Sequence, residues 1–265
     1  MESLNARHTA CAALALVAIG LVAGCASVSS RAPETVVLPY VSNFSENPPG
    51  AEPQGWEKWT LSKFKKPTQY KLVDYAGKTV VRASADASAS GLVHRLTLDP
   101  KVYPLLSWRW KVDGLIAKAD NTQKHTEDSP VRVVVSFAGD KDKLPFDDRI
   151  FFDNMRTLTG QELPYATLMY IWENRVPRNT VIPSRHSSRI KMIVVESGRE
   201  KIGLWQEETR NVYEDYKRAF GEEPGAITSV GIMTDTDNTG ENVHAWYGDI
   251  LFRRVAPPRA QFASD

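Results

Sequence analysis

The chain has 265 residues, 33 Lys+Arg against 32 Asp+Glu, and a formal net charge of +1. Its 42% hydrophobic and 25% charged content belongs to a folded globular protein and excludes a disordered, collagen-like or polytopic membrane chain. The near-zero balance argues against nucleic acid as a partner, which usually demands a basic face and a pI above about 9.

In chain order, the first 30 residues carry the most specific signal. A short polar start with one cation, Arg7, leads into an apolar run from Ala10 to Ala23. The run falls short of the roughly 20 residues needed to cross a bilayer, so it reads as the core of a secretory signal. It ends in Val22-Ala23-Gly24-Cys25, which resembles a bacterial lipobox: the small residues admit the peptidase, and the Cys25 thiol accepts a diacylglyceryl group. The plainer reading is an ordinary signal peptide with a chance cysteine. On the lipobox reading Cys11 is discarded, and the mature domain keeps neither a free thiol nor a disulfide, which excludes thiol catalysis and cysteine-ligated zinc. Ala26 and Ser27 follow, with no Asp at the sorting position. By resemblance to known lipoproteins this implies a lipid anchor in the outer membrane, facing the periplasm.

The expected organisation is a signal peptide over 1–25, a tether over 26–35, one domain over 36–255 and a frayed tail over 256–265. Within the domain the pattern has period two. Leu92, His94, Leu96 and Leu98 alternate with Val93, Arg95 and Thr97; Trp108, Trp110 and Val112 with Arg109, Lys111 and Asp113; and Val131, Val133, Val135 and Phe137 with Arg132, Val134 and Ser136. Further strands are expected at 69–75, 78–84, 165–172, 189–196, 227–234 and 245–254, with Ala76-Gly77 as a tight hairpin turn. Asn211 as N-cap, Val212, Tyr216 and Phe220 at helical spacing, and Gly221 at the end predict a helix; residues 146–158 suggest a second. About ten strands are too many for one open twisted sheet. The expected fold is all-β with minor α: a two-sheet β-sandwich of jelly-roll or galactose-binding-like type with one or two short helices.

Four constellations are candidates for chemistry. Trp172, followed at once by Glu173, Asn174 and Arg175, reads as a strand end opening on a cleft, where a ring stacks on sugar and polar neighbours bind its hydroxyls. Trp108 and Trp110, two apart on one face, read instead as core. Asp235, Asp237 and Asn238 before Gly240 offer alternating oxygens suited to Ca2+, but Trp246 stands where an EF-hand needs a bidentate Glu; a plain polar turn is the simpler alternative. Arg210 and Asn211 at a helix start suit an anionic or hydroxylated ligand, against a capping arrangement that merely fixes helix to sheet. Glu127 and Asp128 at a strand entrance, with Arg132 inside, leave an ion pair and a binding site equally open. Gly77-Lys78-Thr79 lacks the first P-loop glycine, since Leu72 stands there, and neither H-E-x-x-H nor G-x-S-x-G occurs. His94 lies on an apolar face and reads as a core histidine.

Trp108-Arg109-Trp110-Lys111-Val112, Glu127-Asp128, Tyr170-Ile171-Trp172, Arg210-Asn211-Val212, the run Met233 to Thr239 and Tyr247-Gly248-Asp249-Ile250-Leu251-Phe252 together resemble the bacterial family called domain of unknown function 3047. The resemblance implies an exported bacterial protein and carries no catalytic residues. The closing Gly248 to Phe252 is similar to the last strand of galactose-binding-like carbohydrate modules, a likeness of fold that does not fix function. The leading expectation is an outer-membrane lipoprotein that binds a glycan or other envelope component. The alternatives are an enzyme on polysaccharide or peptidoglycan using Asp128, Glu173, Asp235 and Asp237, and an assembly lipoprotein with a protein partner.

Overall fold

The computed structural model of the protein describes residues 41–60, 62, 64–160 and 162–254. Cys25, with the expected signal peptide and tether, and the expected tail lie outside the described residues.

Two sheets pack face to face. One has seven strands in the order β1 (Glu57–Thr60), β4 (Ala89–Leu98), β11 (Ile227–Asp235), β6 (Ser129–Phe137), β7 (Ala166–Glu173), β9 (Ile190–Ser197) and β8 (Val181–Pro183). The other has six: β10 (Gln206–Asn211), β5 (Leu105–Val112), β12 (Asn242–Tyr247), β3 (Lys78–Asp86), β2 (Gln69–Tyr75), and β13 (Leu251–Arg253), which also pairs with β5. Neighbouring strands run antiparallel except β7 and β9, which are parallel. The protein is a two-sheet β-sandwich with two α-helices, α1 (Phe146–Thr159) and α2 (Val212–Phe220), as the expected fold class has it.

Side-chain alternation explains the sandwich. Leu92, Ile232, Val133, Tyr170 and Ile193 are successive register partners across the large sheet, and all five are buried in the central core. They face Trp110, Tyr247, Val81 and Leu72, aligned in the same way across the small sheet. Trp108 and Trp110 are thus core residues, and Trp108 stacks on Tyr170 with ring centres 5.1 Å apart. Ala76 and Gly77 join β2 to β3 with positive φ at both residues, the twist that matches a two-residue hairpin.

Some elements depart from expectation. β1 and β8 are edge strands of four and three residues, too short for a periodic signal. The expected strand 245–254 is two strands, broken at Gly248, whose N–H bonds the Arg109 carbonyl. β10 ends on Arg210 and Asn211, which were expected only as the start of α2, and no strand was expected there. Finally, every residue of β6 and β7 is buried, on both faces. A third layer therefore covers the outer side of the large sheet, and α1, between β6 and β7 in sequence, belongs to it.

Candidate functional site

The covered outer face is where the structure concentrates unusual chemistry. Two register rows form its floor: Trp59, Gly91, Met233, Arg132 and Ile171 in one, Val93, Gly231, Val134 and Met169 in the other. Glycine at 91 is required, because a Cβ there would stand 2.5 Å from the Ile232 carbonyl oxygen and 2.9 Å from the Trp59 ring. The indole therefore lies down on the sheet. Phe151, Met155 and Leu158 of α1 form one wall, and Asp148 at the helix start fixes α1 by accepting bonds from the Ser187 hydroxyl, the Ser188 N–H and the Ser188 hydroxyl. The enclosed cleft holds about 400 Å³.

One end of the cleft is charged. Arg132, 2% exposed, projects from β6 between apolar neighbours. Its Nε and Nη2 donate to the two Asp235 carboxylate oxygens at 3.0 and 3.2 Å, and Nη2 also reaches the Glu127 carbonyl at 2.8 Å and Asn121 Oδ1 at 3.3 Å. Nη1 has only thioether partners, Met192 Sδ at 3.2 Å and Met169 Sδ at 3.8 Å. Sulfur is a weak acceptor, so this edge of a buried cation is only weakly satisfied, and Arg132 and Met169 both line the cleft. Burial pushes the Asp235 carboxyl up to about 6, although Arg132 and the Ser129 N–H pull it down. Lys65, Glu127, His186, Asp237 and Asn238 complete the polar rim.

The sequence-expected sites fare differently. Trp172 is 1% exposed, its ring is in the central core and its indole N–H donates to the Gly198 carbonyl at 3.0 Å. This corrects the expectation of a stacking platform: no ring face is offered to solvent. Glu173 is buried and accepts the N–H groups of Asn121, Arg175 and Val176; Asn174 donates to the carbonyls of Ile116 and Ala119; Arg175 is exposed. The polar cluster ties two loops to a strand end. Arg210 forms a bidentate pair with Asp215, both bonds 2.7 Å, and Asn211 caps α2 by accepting the Glu214 N–H, so the plainer capping reading describes this pair. Asp128 accepts the N–H groups of Asn238 and Thr239, and the partner of Arg132 is Asp235 rather than Asp128.

The carboxylates of Asp128, Asp235 and Asp237 do converge, with oxygens within 4.8 Å of one another. Calcium would need them free. Asp235 is held by Arg132, Asp237 by Lys65 at 2.5 Å, and Asp128 by backbone donors, while Asn238 joins through its N–H. Two protein cations already stand where Ca2+ was expected, and the donor set does not fit an open calcium cage.

The floor was missed from sequence, and α1, expected as a helix over 146–158, was not foreseen as the wall of a cleft. The available signal was Arg132 set in a strand apolar on both faces, the mark of a sheet covered on both sides.

A family model described as "Protein of unknown function (DUF3047)" matches residues 54–251. No curated protein matches the chain. Among solved structures, the glycoside hydrolase domain of Endo-D from Streptococcus pneumoniae R6 aligns at TM-score 0.32 and 11% identity, over 76% of this chain and 22% of that one. A beta-1,2-glucanase from Parabacteroides distasonis aligns at TM-score 0.37 and 11% identity, over 82% and 26%. The chain thus spans about a quarter of the length of those two. The xyloglucanase domain of NopAA from Sinorhizobium fredii, solved with cellobiose, aligns at TM-score 0.41 and 8% identity, over 82% and 100%.

Proposed function

Because this chain belongs to the DUF3047 family, whose function is unknown, its role rests on its own geometry, and we propose that the domain is a binding module for a glycan or related component of the bacterial cell envelope. The observation that carries this reading is the Nη1 edge of Arg132, a buried cationic donor with only sulfur acceptors, at the end of an apolar cleft. A volume of about 400 Å³ is in the range of small-molecule sites. A ligand oxygen accepts from Nη1, the apolar side of a ring rests on Trp59, Val134 and Met233, and rim groups such as Glu127 and Asn238 take hydroxyls. A diacylglyceryl group on Cys25 holds the module on the outer membrane, where such ligands are encountered.

One observation favours an enzyme instead. Asp235 lines the cleft with a carboxyl pushed up to about 6, and perturbed carboxylates gather at active sites. Its two oxygens, however, are engaged by Arg132 and the Ser129 N–H.

The test is a glycan-array and envelope-fraction binding screen. It compares the protein with Arg132→Met plus Asp235→Leu, a double change that removes both buried charges together, with a thermal melt to establish that the variant is folded. Binding retained by the double variant places the ligand elsewhere. Release of saccharide during the incubation moves the assignment to the enzyme.

A further inference from the structure

The outer face of the six-stranded sheet carries a separate constellation. Lys71 is opposite Arg82, Arg82 opposite Trp246, and Trp246 opposite Lys111, so four strands contribute one continuous row. At about 4.8 Å per strand the row runs roughly 14 Å across the sheet. Arg109 stands two residues before Lys111 on the same face of β5, and Tyr75 and Trp205 flank the row.

The cations are laid on the rings. Arg109 lies 4.7 Å from the Trp205 ring centre, and Lys111 Nζ lies 4.8 Å from that of Tyr75 and 5.1 Å from that of Trp246. Arg82 is 5.9 Å from Trp246, and Lys111 also donates to the Tyr75 hydroxyl at 2.7 Å. Gly248 makes room for this, since a Cβ there would stand 2.5 Å from Arg109 Cγ and Nε.

These charges lack opposite partners. Among the described residues none of Lys71, Arg82, Arg109 and Lys111 lies within ion-pair distance of a carboxylate, Glu207 included, although Glu207 is opposite Arg109 in the register. Nearby Lys66, by contrast, is paired with Asp86. Stacking on aromatic rings holds Arg82, Arg109 and Lys111 in place before any ligand arrives, which lowers the ordering cost of binding. A straight row of fixed, unneutralised cations complements a linear chain bearing regularly spaced anions, and the intervening rings suit the apolar sides of sugar units. We propose that this face binds an anionic polysaccharide, one carrying carboxylate or phosphate groups along its length. It is a site distinct from the cleft, and the near-neutral chain as a whole favours such local matching over the general attraction that nucleic acid exploits.

The experiment is affinity electrophoresis of the purified protein in gels containing polygalacturonate or the same polymer fully methyl-esterified. The free acid should retard the protein, less so as salt rises, and the ester should not. Arg82→Gln with Lys111→Gln should weaken retardation roughly tenfold or more, as expected for two lost charge-assisted contacts. Lys111→Arg should retain it, and so should the Arg132→Met, Asp235→Leu cleft variant, which separates this site from the one above. Lys71→Gln, a change at an exposed residue, gives a smaller loss and serves if the double variant misfolds. Equal retardation by acid and ester, no retardation by either, or tighter association with phosphatidylglycerol vesicles or DNA than with polygalacturonate overturns the proposal.

Discussion

At position 172 a tryptophan followed by Glu, Asn and Arg looks like a strand emerging at a rim, yet the ring belongs to the core. The reason lies in loop residues 116–121, more than fifty positions earlier, whose backbone supplies partners for Glu173 and Asn174. Sequence shows the polar groups but not what satisfies them. Trp172→Ala should accordingly cost about 3–5 kcal/mol, as much as Trp110→Ala, in denaturant melts. The opposite holds at Arg132, whose isolation in an apolar strand was visible while its partner, 103 residues away, was not. Asp235→Asn leaves the guanidinium buried without its counter-charge, and the expected loss is about 3–5 kcal/mol. Because Arg132 and Lys65 already neutralise the carboxylate cluster, calcium or chelator should leave the wild-type melting temperature unchanged. A calcium-dependent rise would show the cations to be displaceable.

β2, β6 and β9 were legible almost to the residue, because short runs rich in β-branched and other apolar residues between turn signals read as strands. α2 was legible through its caps, Asn211 and Gly221. β10 was not: its outward residues are polar, and Glu208, one of its inward ones, is charged. Inside the sandwich edge Glu208 meets Glu196 of β9, with Arg178 3.9 Å from Glu208 and 3.4 Å from Glu196. Burial, then the Glu196 carboxyl, push Glu208 up from its ordinary 4.5 to about 7. The folded state therefore binds more protons than the unfolded chain between about 4.5 and 7. Stability should fall as pH climbs through that window and then level off. Urea midpoints near pH 5 and pH 8 measure the drop, and Glu208→Gln, which cannot ionise, should reduce it, leaving the smaller part that Asp235, raised to about 6, contributes below pH 6.

For the molecule as a whole, strand number made two sheets necessary, but strand order was hidden because long-range pairing sets it. The anchor expected at Cys25 lies outside the described residues and is tested by its chemistry: Cys25→Ser should abolish radiolabelled palmitate incorporation, since a hydroxyl does not replace the thiol acceptor. The hidden order has a consequence for how the protein is made. β11, which fills the gap between β4 and β6, comes from residues 227–235, so most of the chain has left the ribosome before the middle of the larger sheet exists. Until then β4 and β6 each present an open edge, a template for pairing with other chains. A premature stop before Ile227 would yield not a smaller stable sandwich but a species prone to aggregation and proteolysis.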